Sequence, residues 1–261
     1  MRRLVVAPGW VVALGLAVAG CERAPRPTPT VDKAVAAAPS ASSAGTDQGW
    51  TASFKLQRVE LVKGGAATDR LPMVIAMHGL GDNAADFARV FDGFEGPARI
   101  VVLQAPTRYG SGYSWFPTRK DASSVSVHAQ GIVDAAELIA ADTTALVAAR
   151  PTRGKPIVTG FSQGGMLSFT LALRHPELYE RAVPLAGWLP EALWPTSRPA
   201  GGIPIVALHG DADAMLPIGP TRDGVAHLKK LGFDVELRAF PGVAHTVSRD
   251  MRRELFGFLL R

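Results

Sequence analysis

The sequence predicts an α/β fold in which helices cover both faces of a mostly parallel central sheet. Short unbroken apolar runs recur along the chain, and amphipathic helical periods separate them. Unbroken apolar runs are typical of strands that are buried on both faces. Strands that alternate with helices are typical of parallel sheets. The runs cover Met73–Met77 and residues 100–103, 157–158, 182–183 and 203–208.

The segments around these runs complete the predicted sheet and its helices. Residues 53–61 alternate apolar with polar side chains, which predicts a half-buried antiparallel strand at the start of the domain. A long helical period lies between residues 132 and 147, and it places Asp142 away from the apolar stripe. Shorter periods at residues 166–173 and 225–231 predict two further helices.

The composition is that of a packed globular protein. Hydrophobic residues make up 47% of the 261 residues and charged residues 20%, so disorder throughout is excluded. The formal net charge is +5, but lysines and arginines are spread along the chain and alternate with acids. Because nucleic-acid binding requires cations clustered on one face, this pattern argues against it. The sequence gives no indication of the oligomeric state.

The first 20 residues have the features of an export signal. The pair Arg2-Arg3 precedes an apolar stretch, residues 11–19, which has the length of a signal-peptide core and is short for a transmembrane span. The stretch ends in Gly20-Cys21, which resembles the processing site of bacterial lipoproteins. That resemblance implies that Cys21, the single cysteine of the chain, is the first mature residue and carries a lipid.

Three regions are predicted along the chain. They are a lipoprotein signal peptide at residues 1–20, a Pro/Ala/Ser/Thr-rich tether at residues 21–49 and a folded domain at residues 50–261. The lipid on Cys21 would hold an exported chain on a membrane of the cell envelope, and Glu22 after it favours the outer membrane. The alternative is an uncleaved helical anchor with an incidental cysteine.

The strongest chemical signal is a Gly-x-Ser-x-Gly pattern from Gly160 to Gly164. It lies between an apolar strand and a helical period, which is the position of a nucleophilic serine on a sharp strand-to-helix turn. Small residues two positions before and after the serine relieve the backbone clashes of such a turn. Ser162 is therefore the candidate nucleophile, and a helix-capping serine in a glycine-rich turn is the alternative.

A serine nucleophile needs a base, and His245 is the candidate. It follows the apolar run Val235–Phe240 and precedes the last helix, so it is expected on a loop at a strand end. His78 and His209 each precede a glycine at a strand end and are interpreted as hydrogen-bonded structural groups. The remaining histidines lie in or beside helical periods and have no predicted role: His128, His175 and His227.

The acid that orients the base should lie between the serine and the histidine in the sequence. Two aspartates, Asp211 and Asp213, follow the apolar run at residues 203–208. Asp213 lies further out on the loop, and we expect its carboxylate to fix the histidine tautomer and stabilise the imidazolium. Asp211 is the less favoured candidate and is assigned to the turn.

Two backbone N–H groups are predicted to form an oxyanion hole. One belongs to Gln163, directly after the nucleophile, and the other to Leu80, in the loop after Met73–Met77. Glycines on both sides of Leu80 allow the backbone to turn inward. Asp82 and Asn83 are interpreted as the cap of the next helix.

Together these motifs resemble the phospholipase/carboxylesterase group of α/β-hydrolases, which includes the acyl-protein thioesterases. The matching strings are HGLGD at residues 78–82, GFSQGG at 160–165, HGDAD at 209–213 and GVAH at 242–245. The resemblance implies an α/β-hydrolase fold and hydrolysis of carboxylic esters or thioesters without a metal or organic cofactor. It implies as triad Ser162, Asp213 and His245, and as oxyanion donors Leu80 and Gln163.

Aromatic side chains indicate a substrate pocket. Trp115 and Phe116, after the run at residues 100–103, and Trp188, in a short insertion at residues 188–202, are predicted to line it. Packing of these rings onto the domain is the alternative. The insertion is too short for a large lid, so the site is expected to be open. The predicted substrate is a small-molecule or lipid-like ester with a short- to medium-chain acyl or aryl group.

Other activities on the same fold stay open at this point: thioesterase, peptidase, and polyester or feruloyl-type esterase. A non-catalytic surface lipoprotein that keeps the scaffold as a binding module is a further alternative, although every predicted catalytic position is filled. A metal site is not expected, because the histidines are scattered and the single cysteine lies at the processing site.

Overall fold

Seven strands form the central sheet of the domain. The computed structural model describes residues 54–260, so the predicted signal peptide, the tether and Cys21 lie outside the described residues. The strands are β1 (Arg58–Lys63), β2 (Met73–Met77), β3 (Ala98–Leu103), β4 (Thr107–Tyr109), β5 (Gly112–Ser114), β6 (Ile157–Phe161), β7 (Arg181–Leu185), β8 (Ile205–Gly210) and β9 (Val235–Phe240). The helices are α1 (Ala84–Phe87), α2 (Val125–Ala149), α3 (Gln163–Arg174), α4 (Ile218–Lys230) and α5 (Arg249–Leu259), with two 3-10 turns at Ala88–Phe91 and Glu191–Leu193.

The strand order in the sheet is β1-β3-β2-β6-β7-β8-β9, and β4 and β5 form a separate hairpin. β1 runs antiparallel to β3, with Arg58 opposite Leu103, and all other neighbours in the sheet are parallel. This topology confirms the predicted mostly parallel sheet. It also brings the C-terminal ends of β2, β6, β8 and β9 to one edge, which is where open parallel sheets carry their binding sites.

Helices cover both faces of this sheet, as the sequence predicts. α2, α3 and α4 pack on one face through buried residues such as Ile132, Phe169 and Leu228. α1 and α5 pack on the other face through Phe87 and Leu255. Successive residues of β2 alternate between the two apolar clusters, because neighbouring side chains of a strand point to opposite faces. None of the helices within residues 54–260 combines the length and apolar character needed to cross a membrane.

The start of the domain differs from its prediction. β1 is antiparallel and half-buried, as the sequence predicts, but it spans Arg58–Lys63 instead of residues 53–61. Asp142, predicted away from the apolar stripe of α2, is buried. Its Oδ1 accepts the Lys55 N–H at 2.9 Å and its Oδ2 accepts the Leu56 N–H at 2.8 Å. The segment before β1 therefore lies against α2, and the carboxylate satisfies two N–H groups that have no strand partner.

Candidate active site

Ser162 lies on a strained turn between β6 and α3. Its φ of 57° falls in the left-handed region, and its N–H donates to Leu185 O at 3.0 Å. Glycines make this turn sterically feasible: a Cβ on Gly164 would lie 2.2 Å from Met77 O, and one on Gly160 would lie 2.6 Å from Gly164. The turn places the Ser162 hydroxyl at the C-terminal edge of the sheet, where the sequence motif predicts it.

The structure brings the three predicted triad residues together. His245 Nε2 lies 3.0 Å from Ser162 Oγ, and His245 Nδ1 lies 2.6 Å from Asp213 Oδ2. Because a carboxylate can only accept, Nδ1 carries the imidazole proton, and Nε2 is left to accept from the serine hydroxyl. The Asp213 side chain is fully buried, whereas that of His245 is 17% exposed. This arrangement suits proton transfer from Ser162 to His245.

Asp213 is held by the turn that follows it. Its Oδ1 accepts the N–H groups of Met215 at 2.9 Å and Leu216 at 2.8 Å, which leaves Oδ2 for the histidine. The alternative acid, Asp211, has a different partner, because its Oδ1 accepts the Gly242 N–H at 2.7 Å. Asp211 therefore ties the loop after β8 to the loop that carries the base.

His209 is a buried, hydrogen-bonded structural group next to Asp213, as the sequence predicts. Its Nε2 donates to Leu216 O at 2.8 Å and lies 3.4 Å from Asp213 Oδ2. On the other side of the ring, Nδ1 lies 3.1 Å from Thr221 Oγ1. Burial lowers the pKa of His209, so a neutral ring with its proton on Nε2 fits these contacts.

The predicted oxyanion donors, Leu80 and Gln163, both line the cavity that contains the nucleophile. Within residues 54–260 the Leu80 N–H donates to no protein acceptor, and the Gln163 N–H lies in the first turn of α3, where N–H groups lack intrahelical partners. His78 holds the Leu80 loop: its Nδ1 donates to Gly79 O at 2.7 Å and its Nε2 accepts the Ala105 N–H at 3.1 Å. Burial lowers the pKa of His78, which matches this neutral tautomer.

The side chain of Gln163 makes contacts that the sequence does not predict. Its Oε1 accepts the Trp115 N–H at 3.0 Å, and its Nε2 donates to Phe116 O at 3.0 Å. The buried amide thus joins the nucleophile turn to the segment after β5. These partners are 47 and 48 residues away in the sequence, so no local pattern could have revealed them.

A cavity of about 560 Å³ opens at the Ser162 hydroxyl. Phe116 and Trp188, predicted to form a pocket, both line it. Trp115 does not belong to the lining: its ring is buried, and its Nε1 donates to His78 O at 3.0 Å. Much of the remaining wall is apolar and consists of Leu80, Met166, Met215, Leu216, Pro217 and Pro220.

His128 also lines this cavity, although no sequence motif predicts a role for it. It lies in the first turn of α2 and is buried. The sequence does indicate that His128 is buried, because it precedes Ile132 by four residues and therefore falls on the apolar stripe of the helix. In the described part of the chain, no group of three or more His, Cys, Asp or Glu side chains is placed to hold a metal ion.

Proteins of similar sequence and structure include esterases. A probable carboxylesterase of rice (Oryza sativa subsp. japonica) is 28% identical over 200 residues, which cover 71% of this chain and 75% of the rice protein. The crystal structure of esterase PE8 superposes with a TM-score of 0.68 at 25% identity, and the match covers 79% of this chain and 98% of that one. Zea mays acyl-protein thioesterase 2 shares the fold, with a TM-score of 0.62 at 22% identity and coverage of 78% and 97%.

The family model for phospholipase/carboxylesterase matches residues 63–260. The matched part runs from the last residue of β1 to the end of α5, so it contains the sheet edge, the turn at Ser162 and the cavity. The fold of the solved structures agrees with the mostly parallel sheet described above. The chain therefore belongs to the phospholipase/carboxylesterase family, and it is a hydrolase of the carboxylesterase type.

Proposed function

We propose that this chain hydrolyses carboxylic esters through an acyl-enzyme formed at Ser162. The observation that carries the proposal is the continuous hydrogen-bond chain from Ser162 Oγ through both nitrogens of His245 to the buried carboxylate of Asp213, with separations of 3.0 and 2.6 Å. A serine alcohol is a weak nucleophile, and a base oriented in this way is what activates it.

In the proposed reaction, Ser162 Oγ attacks the ester carbonyl carbon while its proton passes to His245 Nε2. Asp213 stabilises the resulting imidazolium through Nδ1. The carbonyl oxygen becomes an oxyanion that accepts from the N–H groups of Leu80 and Gln163. His245 then protonates the alcohol oxygen as the C–O bond breaks. A water molecule, deprotonated by His245, attacks the acyl-enzyme, releases the acid and restores the serine hydroxyl.

The cavity supports an ester with a short- to medium-chain acyl or aryl group. Its volume of about 560 Å³ is within the range of small-molecule sites. Phe116, Trp188 and Met166 give it a largely apolar wall that suits a hydrocarbon chain or an aromatic ring. Ester, thioester and amide substrates share the acyl-enzyme route, so matched substrates that differ only in the leaving group distinguish these activities.

Hydrolysis of p-nitrophenyl esters from acetate to palmitate tests the proposal. We expect maximal kcat/KM below about ten carbons, given the cavity size, and a loss of about 10⁴-fold or more in kcat in Ser162→Ala. The matched control is Ser197→Ala, which changes an exposed serine outside the cavity lining. A fluorophosphonate should label the wild type and the control but not Ser162→Ala.

The same variants decide between the competing activities. Faster turnover of matched thioesters, of peptide anilides or of feruloyl esters would reassign the leaving group while keeping the nucleophile. A wild-type protein that is folded, unreactive to fluorophosphonate and inactive on every ester would instead support the non-catalytic binding module.

We also propose that the chain is exported and anchored by a lipid on Cys21, with the outer membrane favoured. The support is the sequence alone: two arginines, the apolar stretch at residues 11–19 and Gly20 before the cysteine. Expression of the full chain and of Cys21→Ala in a bacterial host, followed by membrane fractionation and metabolic labelling with a fatty acid, tests this. Membrane association of Cys21→Ala equal to that of the wild type would favour the uncleaved helical anchor.

A further inference from the structure

His128 has one ring nitrogen with a partner and one without. Its Nδ1 lies 2.9 Å from Pro117 O, and because a carbonyl can only accept, Nδ1 carries a proton. Its Nε2 is buried and has no hydrogen-bond partner within residues 54–260. The whole residue is 5% exposed, and its ring packs edge-on against Phe116 at 5.5 Å.

A buried nitrogen without a partner is costly in a folded protein. Most buried polar side-chain atoms have a hydrogen-bond partner, and an unpaired one has lost its hydration without compensation. Such an exception indicates a function when it lies in a binding site. His128 meets that condition, because it lines the cavity that also contains Ser162 and His245.

The charges around the cavity decide what Nε2 can bind. No carboxylate is among the described lining residues, and Arg119 carries the one permanent charge. The lining therefore offers no carboxylate as a partner for Nε2. In the tautomer that donates from Nδ1 to Pro117 O, Nε2 can only accept, and its partner is an O–H or N–H donor.

Arg119, which also lines the cavity, helps to identify the ligand group that donates to His128 Nε2. It is exposed, and it forms no ion pair with the acidic residues that the structure describes. A guanidinium can only donate, whereas Nε2 of a neutral ring can only accept. A hydroxyl can bond to either kind of group, since its proton bonds to an acceptor and its oxygen accepts from a donor. A carboxylate would satisfy Arg119 and leave Nε2 facing an anion.

We propose that His128 is a specificity-determining residue that accepts a hydrogen bond from a hydroxyl group of the substrate. The preferred substrates are then esters that carry a hydroxyl remote from the scissile bond, rather than plain alkanoate esters of the same length. This inference rests on the proposed esterase function and deepens it by naming the substrate class.

The first experiment compares matched hydroxy and deoxy esters on the full wild-type protein. One series consists of p-nitrophenyl esters of butanoate to octanoate, with and without a terminal hydroxyl. A second series consists of monoacetates of ethylene glycol to hexanediol against the matching alkyl acetates, in case the leaving group occupies the cavity. We expect a hydroxy-to-deoxy ratio of kcat/KM of about tenfold to a hundredfold at one optimal length, because a site built to bind a hydroxyl rejects the analogue that lacks it.

Three variants of His128 test whether Nε2 causes the hydroxy-to-deoxy ratio of kcat/KM. His128→Asn keeps a donor near the Nδ1 position for Pro117 O and removes the distal acceptor, and His128→Phe removes both groups while keeping a ring. His128→Gln places an amide oxygen near the Nε2 position. The ratio should fall to within about twofold of unity in the Asn and Phe variants and recover in part in the Gln variant.

The matched control is His227→Gln. His227 also bonds a backbone carbonyl, Pro195 O at 2.8 Å, but it lies outside the cavity lining. The control should keep the wild-type ratio. A wild-type ratio near unity at every length in both series overturns the inference, and so does an unchanged ratio in His128→Asn. A stronger preference for carboxylate-bearing esters than for hydroxy esters also overturns it. Turnover of the deoxy esters tests the esterase function separately.

Discussion

His209 Nε2 lies 3.4 Å from Asp213 Oδ2 while it donates to Leu216 O at 2.8 Å. The same Leu216 donates its N–H to Asp213 Oδ1 at 2.8 Å. His209 therefore fixes the turn that fixes the acid, and the acid in turn orients His245. The dependence of the base on His209 is indirect, which makes His209 a positioning residue.

Replacement of His209 should slow the chemical step without weakening substrate binding. We expect His209→Leu to lower kcat by about tenfold to a hundredfold, because a small displacement of the acid misaligns the base. KM should change by less than about twofold, since His209 does not line the cavity. His209→Gln keeps a donor near the Nε2 position and should recover part of the loss.

The measurement is steady-state kinetics together with the rate of Ser162 labelling by a fluorophosphonate. Comparison of the melting temperatures separates this effect from partial unfolding. Wild-type kcat in a folded His209→Leu protein would contradict the positioning role.

The buried amide of Gln163 should support both the stability of the fold and the shape of the cavity. Gln163→Leu leaves the Trp115 N–H and Phe116 O without their side-chain partner, and each unpaired buried group costs about 1–3 kcal/mol. Because Phe116 lines the cavity, KM should also rise. The backbone N–H predicted as oxyanion donor is retained in this variant.

Urea denaturation and ester kinetics check the two effects of Gln163→Leu. Gln130→Leu on the exposed side of α2 is the matched control, and it should change the free energy of unfolding by less than about 0.5 kcal/mol. Equal stabilities of the two variants would show that the buried amide contributes nothing beyond its volume.

The sequence predicts the parts of the site that lie at strand ends and carry a local pattern. Ser162, Asp213 and His245 each follow an apolar run, and parallel strands bring such positions to one edge. The buried strands were predictable for the same reason, and Met73–Met77 is correct to the residue.

The contacts that the sequence does not predict join distant segments. Asp142 is buried although it lies off the apolar stripe of α2, because helical periodicity alone cannot show that residues 55 and 56 lie against it. The helical stripe indicates that His128 is buried, but its place in the cavity wall is set by tertiary packing, which no local pattern shows. Trp115 does not line the cavity whereas the adjacent Phe116 does, and a sequence pattern cannot distinguish two neighbouring aromatic residues in this respect.

Asp142 should be a strong stabiliser of the domain start. We expect Asp142→Ala to lower the free energy of unfolding by about 2–4 kcal/mol, because it leaves the Lys55 and Leu56 N–H groups unpaired. Asp142→Asn retains one acceptor oxygen and should lose less. Asp134→Ala, on the exposed side of the same helix, is the control and should lose less than about 0.5 kcal/mol. A similar loss in Asp134→Ala and Asp142→Ala would contradict this role.

Two buried histidines should make the folded protein less stable as the pH is lowered. Burial lowers the pKa of His78 and of His209 below the ordinary value of 6.5. Near pH 6.5 the unfolded chain therefore takes up protons that the folded chain does not. These two histidines leave the free energy of unfolding unchanged above about pH 7 and lower it as the pH drops below 6.5. The slope for each histidine reaches at most about 1.4 kcal/mol per pH unit.

Urea denaturation from pH 8 to pH 5 measures this slope. His78→Asn keeps a donor for Gly79 O, and His209→Gln keeps one for Leu216 O, so each variant removes a titrating group with limited loss of contacts. The slope between pH 6.5 and 5 should be shallower in each variant and shallowest in the double variant. Glu60 should lower the free energy of unfolding further at more acidic pH. Burial raises the pKa of Glu60, but hydrogen bonds from Arg150 and Arg58 outweigh burial and lower the pKa below 4.5. A double variant with the full wild-type slope above pH 5 would mean that neither histidine resists protonation in the folded state, and the neutral tautomers assigned to both rings would then be wrong.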